Sequence, residues 1–307
     1  MLKLKNYQSF TESIKLIKQP DGISCGPTCL KMLAELFKIN ATIEELKIVC
    51  GTDTKTGTTD EKMIKGLDYL NFDWERFPLG DKQKAFDRLE LALQEGNSIL
   101  FRTLIQGVKH WIICDPAKDK FYIVDPWLGE YNLESDKLDE IWKARDYDGF
   151  MVKGIKPVTG TPNIEKIKPE EKKDIVDMAS LVFTNVMSYK ANQNYMNNSG
   201  VDFNNSVKLV LNGEVVGCYF IKPGNISKKE PGKGCEGFAL AIKPGFRKYG
   251  WGEMLKDWFE KWAQDNGYDY VWGQHLSGLK NKEFWLKRRE LYRDGEGLFT
   301  TIKRFRK

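Results

Sequence analysis

The chain has 307 residues, of which 41% are hydrophobic and 30% charged, so wholesale disorder is excluded and two domains of roughly 150 residues are expected. No run of apolar residues approaches the length that a membrane-spanning helix requires, and the first residues lack the apolar core of a secretory signal. We therefore expect no membrane span and a cytoplasmic, reducing location in which the six cysteines are thiols. The net charge of +5 is too small to indicate nucleic acid as a partner.

The first half of the chain predicts helices followed by strands. Apolar spacing and capping signals predict helices at about 26–38, 42–49, 60–70 and 82–94. Strand-like runs follow at 98–105, 108–114 and 120–125. Helices first and an antiparallel sheet afterwards indicate an α+β fold.

A segment rich in Gly, Pro and Thr, residues 154–163, separates the two halves and has no apolar period. We expect a first domain at 1–155, a linker at 156–163 and a second domain at 164–307. The first 155 residues carry 22 Lys+Arg against 25 Asp+Glu, whereas the rest carry 26 against 18. A basic second half suits an anionic ligand, and it also suits plain solubility.

The second half predicts a mixed α/β domain. Asn212-Gly213 between two alternating apolar runs predicts a hairpin. The other predicted elements are strands at 164–168, 237–242, 268–273 and 297–304, and helices after Pro169, at 252–266 and at 281–292. Leu255, Trp258, Phe259 and Trp262 are expected to face inward from the helix at 252–266.

Cys25 is a candidate nucleophile because it stands where a loop enters a helix, and unpaired N–H groups at a helix N-terminus favour the thiolate. Such chemistry needs a base, and His110 is the histidine of this half. If strands 108–114 and 120–125 pair over a loop at 116–119, Asp115 faces Lys120 and His110 faces Asp125. Asp125 could then hold the imidazole in the tautomer that a base requires.

Gln19, six residues before Cys25, is the expected oxyanion donor, with the Cys25 backbone N–H as the second donor. Three alternatives stay open at this point. Cys25 could be a buried structural thiol. Asp115 also precedes a proline and rivals Asp125, although its place at the hairpin end suits a turn residue. A zinc site at Cys25 and Cys29 lacks further ligands at recognisable spacing, so no metal is expected.

The pattern Gln-x5-Cys-Gly-Pro-x-Cys, then His-Trp, then Asp-Pro, resembles the papain-like peptidases that remove double-glycine leader peptides from bacteriocins. The resemblance covers about residues 10–150. It implies a peptide or protein substrate, with Cys25 as nucleophile, His110 as base, Asp125 as orienting carboxylate and Gln19 as oxyanion helper.

The Arg-x-x-Gly-x-Gly segment at 247–252 follows an apolar strand and opens a helix, an arrangement that lets backbone N–H groups approach a phosphate. Together with the order of elements, it resembles the GNAT acetyltransferase superfamily over about residues 162–305. The resemblance implies acetyl-CoA as the cofactor. The positions that it implies for binding are Ile242, Arg247, Lys248, Tyr249, Gly250, Trp251 and Gly252.

Catalytic residues of the second half are less defined by the sequence. Glu236 lies where relatives often keep a base, and it could equally be a surface glutamate. Relatives often place a tyrosine acid where this chain has Trp285, and Tyr292 lies off that pattern. His275 is either a substrate contact or a strand-end histidine with a satisfied hydrogen bond.

The sequence therefore predicts a cysteine peptidase fused to an acetyl-CoA-dependent N-acetyltransferase. One alternative is a peptidase whose second half is a degenerate binding module. Another is a structural protein, for instance of a virus particle, with both sites vestigial.

Overall fold

The computed structural model describes residues 12–77, 80–118, 121–276, 282–287, 289–295 and 298–305. The chain divides into two compact units between Val158 and Thr159. Residues 156–162 contain neither helix nor strand. None of the helices in the described residues is long and apolar enough to cross a membrane. All six cysteines are buried and free.

The N-terminal unit combines helices with an antiparallel sheet. Its helices in the described residues are α1 (Cys25–Leu36), α2 (Ile43–Cys50), α3 (Asp60–Tyr69), α4 (Lys82–Gln94) and α5 (Ser135–Lys143). Its strands there are β1 (Phe72–Arg76), β2 (Ser98–Ile105), β3 (Val108–Cys114), β4 (Phe121–Asp125), β5 (Gly129–Leu133) and β6 (Gly149–Ile155). The sheet order is β1-β6-β2-β3-β4-β5. The α+β prediction is confirmed, whereas β1, β5, β6 and α5 are additions to it.

Helices cover both faces of this sheet. Successive side chains of β3 point to opposite faces of the sheet. Trp111 and Ile113 pack with α1 on one face, whereas Ile112 and Cys114 pack with α4 and α5 on the other. The capping box predicted for α2 is present, with Thr42 accepting from the Glu45 backbone N–H at 3.0 Å. The sheet between these layers carries the candidate base on β3 and the candidate carboxylate on β4.

The C-terminal unit is a mixed α/β layer. Its strands in the described residues are β7 (Asn163–Lys166), β8 (Val207–Leu211), β9 (Glu214–Pro223), β10 (Gly234–Ile242), β11 (Tyr270–Leu276), β12 (Glu290–Gly295) and β13 (Leu298–Arg304). Its helices there are α6 (Lys172–Val182), α7 (Tyr189–Asn198), α8 (Trp251–Asp265) and α9 (Lys282–Leu286). The sheet order is β12-β13-β11-β10-β9-β8-β7, and β10 and β11 form the parallel pair.

The hairpin prediction is confirmed. Asn212 and Gly213 connect β8 to β9 with φ of 50° and 84°. Both values lie in the left-handed region that a type I′ turn needs, which is why Asn-Gly suits this position.

Strands β10 and β11 pair over a short stretch and then separate. The parallel register runs from Gly234 opposite Tyr270 to Glu236 opposite Trp272, although both strands continue further. The β10 register against β9 shifts between Gly237 and Ala239, which marks a bulge. The separation leaves an opening in the sheet just beyond Glu236.

Two predictions for this unit are wrong. Trp258 and Trp262 are only half-buried and stack on each other, whereas the charged Lys256 and Glu260 occupy buried positions on α8. The helix predicted at 281–292 is limited to α9, and its second part forms β12, which pairs with β13. The partner strand decides the structure there, because local propensity is weaker than sheet pairing.

Candidate active sites

Cys25 is the first residue of α1 and is 8% exposed. The preceding Ser24 caps the helix without a side-chain hydrogen bond, because its Oγ donates to Asp21 Oδ1 at 2.6 Å. The Ser24 side chain therefore does not cap the first turn of α1, and Cys25 lies at the end of the helix that carries partial positive charge.

The loop before α1 is fixed by Asp21. Its Oδ1 also accepts the Ile23 backbone N–H at 3.0 Å, and its Oδ2 pairs with Lys47 Nζ at 2.8 Å. The Lys47 and Ser24 hydrogen bonds lower the pKa of Asp21 to about 2. The turn that presents Cys25 therefore keeps a charged anchor over the whole neutral range.

Gly26 allows a close approach behind the nucleophile. A Cβ at Gly26 would stand 2.7 Å from the Cβ and Oγ1 of Thr58. The Thr58 carbonyl in turn accepts from Trp111 Nε1 at 2.7 Å. Trp111, next to His110 in β3, thus holds the loop that supports the start of α1. Thr58 and Trp111 were not predicted from the sequence to support the site.

His110 is buried on β3 and contacts both predicted partners. Its Nε2 lies 2.8 Å from Asp125 Oδ1, and its ring interacts with the Cys25 thiol. With Nε2 engaged by the carboxylate, Nδ1 is the nitrogen left for the sulfur. Burial lowers the pKa of His110, but the hydrogen bonds with Asp125 and Cys25 outweigh it and raise the pKa to about 9.

The strand register differs from the prediction by two residues. Ile113 pairs with Val124 and Cys114 with Ile123, and the Asp115 backbone N–H donates to Tyr122. Asp115 therefore lies beside Tyr122, two residues from its predicted position, and Lys120 lies outside the described residues. An even shift leaves every side chain on its predicted face, so Asp125 becomes a diagonal neighbour of His110 and still reaches it.

Asp125 is fully buried and accepts four hydrogen bonds. Besides His110, its Oδ1 accepts the N–H groups of Trp127 at 2.6 Å and Leu128 at 3.0 Å, and its Oδ2 accepts Tyr131 Oη at 3.2 Å. Burial raises the pKa of Asp125, but the hydrogen bonds from His110 and these N–H groups outweigh burial and lower it. The carboxylate is therefore ionised and fixed beside the imidazole.

Gln19 lies next to the Asp125 turn through its main chain, since its backbone N–H donates to Pro126 O at 2.9 Å. Its side-chain Nε2 donates to Asp21 O at 2.6 Å, and its Oε1 is buried without a partner. The amide therefore contacts its own loop, and its second N–H is the group that could serve an oxyanion.

The rival residues have other roles. Asp115 accepts the Ala117 N–H at 2.9 Å in a turn, as predicted, and also binds Ser13 Oγ and the Ile14 N–H. Cys29 is fully buried, and burial raises its pKa well above the ordinary value. The described residues contain no cluster of three or more His, Cys, Asp or Glu side chains that could hold a metal.

The second candidate site surrounds the N-terminus of α8. A cavity of about 350 Å³, here called the loop cavity, is lined by Ile242, Phe246, Arg247, Lys248, Gly250, Trp251, Gly252, Glu253, Phe284 and Lys287. The helix begins after Gly250, at φ 79°, with no side-chain cap. Lys248 also has a positive φ of 72°, which a side chain adopts at a cost. Tyr249 is not in the lining and is 45% exposed.

The residues around the loop cavity fit a pyrophosphate. Uncapped N–H groups at the start of a 15-residue helix supply donors and positive potential. Glu253 is a carboxylate in the lining, but Lys256 and Lys287 lie 3.6 and 3.7 Å from it and offset its charge. Gly252 leaves room, since a Cβ there would meet only ordinary contacts with Phe284 and Leu240 at 3.6 and 3.7 Å.

A second cavity of about 350 Å³ lies where β10 and β11 separate and is here called the wedge cavity. Its walls are mostly apolar and come from the α6–α7 region, from β10 residues 236–240 and from Gln274, His275, Trp285 and Leu298. Glu236 opens into it, is 6% exposed, and lies 3.8 Å from Lys222 Nζ. Burial raises the pKa of Glu236. The alternative of a surface glutamate is therefore wrong.

His275 and Trp285 form a stacked pair in the wall of the wedge cavity, with ring centroids 4.1 Å apart. His275 Nε2 lies 2.9 Å from Thr301 Oγ1. Burial, with the nearby cations Arg289 and Lys256, lowers the pKa of His275 to about 3. The ring is therefore neutral and has a satisfied hydrogen bond. Tyr292 lies on β12, outside the lining of both cavities.

The two units thus hold a cluster of Cys25, His110 and Asp125 at the start of α1 and a cavity at the N-terminus of α8. Residues 13–145 match the model of the Peptidase C39 family, and residues 186–288 match that of the acetyltransferase (GNAT) family. The first half is therefore similar to the Peptidase C39 family and the second half to the GNAT family, and both predicted resemblances are confirmed.

Individual relatives resemble one half each. The lactococcin-G-processing and transport ATP-binding protein LagD of Lactococcus lactis subsp. lactis is 27% identical over 129 residues, which is 42% of this chain and 18% of that protein. The chain thus spans less than a fifth of that relative. The peptidase domain of Streptococcus ComA is 19% identical, with 46% of this chain and 98% of that chain covered and a TM-score of 0.38. The PaiA N-acetyltransferase of Thermoplasma acidophilum, in complex with coenzyme A, is 12% identical, with 48% and 100% covered and a TM-score of 0.38.

Proposed function

We propose that the protein is a bifunctional enzyme, with a cysteine peptidase at residues 1–155, a linker at 156–163 and an acetyl-CoA-dependent N-acetyltransferase at 164–307. Both activities act on peptides or proteins. The observation that carries the peptidase half is the position of His110, whose Nε2 lies 2.8 Å from Asp125 Oδ1 and whose ring interacts with the Cys25 thiol.

In the peptidase half, the elevated pKa of His110 means that the imidazole holds a proton at neutral pH. The proposed nucleophile is the Cys25 sulfur, attacking as a thiolate beside this imidazolium. The thiolate attacks the scissile carbonyl carbon, and His110 gives its proton to the leaving amine. A water molecule then attacks the thioester carbon while His110 takes a proton from that water, and the Cys25 thiolate leaves. The Cys25 backbone N–H and the Gln19 amide would bind the oxyanion.

Peptides with a double-glycine leader are the first substrates to test, because the sequence resemblance supports them and because LagD is named as a lactococcin-G-processing protein. Cleavage is followed by mass spectrometry. Cys25→Ala should abolish cleavage, and Cys29→Ala, which removes a buried thiol one turn along α1, should retain it. Equal cleavage by wild type and Cys25→Ala would refute the assignment.

In the acetyltransferase half, the loop cavity would hold the pyrophosphate through the N–H groups of residues 250–252, with Ile242, Arg247 and Lys248 beside it. Acetyl-CoA supplies an activated thioester for transfer. Glu236 is the candidate base that takes the proton of the acceptor amine, because it is the carboxylate in the described lining of a mostly apolar cavity and burial raises its pKa. This proton transfer lets the nitrogen attack as a neutral amine.

Coenzyme A binding is tested by calorimetry on Gly252→Glu. The new carboxylate would enter the loop cavity, and two like charges about 4 Å apart repel by roughly 4 kcal/mol at a near-surface dielectric. We expect at least a 100-fold loss of affinity. Gln264→Glu places the same charge at the exposed opposite end of α8 and should bind normally. Unchanged binding by Gly252→Glu would reject the site.

A second candidate function is a binding module that retains coenzyme A but transfers nothing. It is favoured by Trp285, which carries no acidic proton where relatives often have a tyrosine. Turnover of acetyl-CoA with a panel of peptide amines distinguishes the two. Binding without turnover would favour the module.

A further inference from the structure

Several polar side chains in the lining of the wedge cavity already make hydrogen bonds or face solvent. The Asn192 side-chain nitrogen donates to Ser180 O and Met187 O, at 3.1 and 3.0 Å. His275 uses Nε2 on Thr301, and Gln274 is exposed. Glu236 has only the long contact of 3.8 Å to Lys222 among the described residues. Glu236 is therefore the carboxylate of the described lining, and it keeps hydrogen-bonding capacity for the amine of a ligand.

The charge of the wedge cavity selects against anionic acceptors. No Lys or Arg is among its described lining residues, and its one ionisable acid is Glu236. Lys222 approaches that carboxylate from β9 and lies against the Phe238 ring, 5.8 Å from its centroid. An acceptor with a carboxylate next to its amine would bring that charge beside Glu236 with no cation in the lining to pair with it. A free amino acid has such a carboxylate, whereas the amino terminus of a peptide has an amide there.

The rim of the wedge cavity is apolar and exposed. Val186, Met187, Tyr195 and Leu298 line it, and they are 38, 36, 52 and 47% exposed. They come from the α6–α7 connection, α7 and β13. Exposed apolar side chains grouped around a cavity are typical of a surface that an apolar ligand covers.

We infer that the acceptor is the α-amine of a peptide or protein whose first residue is large and apolar. The amine would lie at Glu236, and the first side chain would pack against the rim formed by Val186, Met187, Tyr195 and Leu298. This inference rests on the acetyltransferase function proposed above and adds the class of its substrate. The 350 Å³ of the cavity lies at the lower end of the roughly 300–1,000 Å³ typical of ligand sites, which suits one residue and its amine.

The test is acetyl transfer by the full chain to synthetic peptides that are identical except at the first residue. We expect kcat/KM at least tenfold higher for Leu, Met or Phe than for Ser, and lowest for Asp. A fourth peptide, with a blocked amino terminus and an internal lysine, should be a poor acceptor. Equal rates across the first residues, or faster transfer to the lysine, would overturn the inference while leaving the transferase function intact.

The rim is tested by Val186→Asp, a change at an exposed position that folding should tolerate. We expect the preference for Leu over Ser to fall at least fivefold, with coenzyme A affinity unchanged. The matched control is Leu291→Asp, which is 45% exposed on β12 and lies outside the lining. An unchanged preference in Val186→Asp would also overturn the inference. Absence of transfer to every amine, with coenzyme A still bound, would instead overturn the transferase function, and the inference with it.

Discussion

Replacing Asp125 with Asn tests the link between the carboxylate and the imidazole. The substitution keeps the size of the side chain and an oxygen that can accept the Trp127 and Leu128 N–H groups. It removes the negative charge 2.8 Å from His110 Nε2. Burial of His110, which lowers its pKa, and the interaction with Cys25, which raises it, both remain in the variant, so the substitution removes the raising effect of Asp125 alone.

The expected change is large. The pKa of His110 lies at about 9 against an ordinary value of 6.5, a difference worth on the order of 3 kcal/mol. In Asp125→Asn we expect a pKa of His110 well below the wild-type value of about 9. Since the folded-state pKa is raised in the wild type, protonated His110 stabilises the fold fully below pH 6.5, and this stabilisation is lost as the pH rises through about 9.

Two measurements follow this change. The chain has two histidines, and His275, whose pKa is lowered to about 3, should not titrate above pH 5. One imidazole signal should therefore move near pH 9 in an NMR titration of the wild type, and it should move at a lower pH in the variant. The difference in the free energy of unfolding between the two proteins should be larger at pH 6 than at pH 10, by up to about 3 kcal/mol. The same midpoint in both proteins would refute the coupling.

Three further predictions concern the supports of the two sites. Gly26→Ala should lower the free energy of unfolding by about 1–3 kcal/mol, because its Cβ would stand 2.7 Å from Thr58. In a double-mutant cycle measured by urea unfolding, Thr58→Gly should recover most of this loss. Strictly additive losses would contradict the contact. Trp111→Phe leaves the Thr58 carbonyl without its 2.7 Å donor and should cost about 1–3 kcal/mol in the same assay, so a cost near zero would show that the bond is dispensable. Because the pKa of His275 is lowered, the stability that its neutral ring contributes is present above pH 6.5 and is lost as the pH falls towards 3. The free energy of unfolding of the wild type should fall by about 2 kcal/mol between pH 6.5 and 5, and that of His275→Phe should fall by less. An equal loss in the two proteins would contradict this prediction.

Local sequence signals were sufficient to predict some of the helices and strands. Helices α1 to α4 and strands β2 to β4 follow from apolar period and caps, which act within a few residues. Strands β1 and β5 are short and rich in polar residues, so no period marks them. Helix α7 is almost entirely polar on its exposed side, and its buried residues are Asn192 and Met196. Such elements are fixed by tertiary pairing, which a local pattern does not contain.

The candidate site was predictable to a similar extent. The pairing of His110 with Asp125 depends on strand parity, and parity survives a shift of two residues, so the side chains meet despite the wrong register. The Trp111–Thr58 contact joins residues 53 apart in the sequence and could not be inferred from either segment alone. Residues of the α6–α7 connection and of α7 line the wedge cavity together with the buried Glu236, and α7 was not predicted from the sequence.

The most direct test of a Cys25 thiolate paired with His110 is the rate at which iodoacetamide alkylates each of the six cysteines at about pH 6, with peptide mapping by mass spectrometry. Cys25 should react at least tenfold faster than the other five thiols, and His110→Ala should remove most of that advantage. A Cys25 that reacts no faster than Cys29, or at the same rate without His110, would contradict the proposed peptidase site.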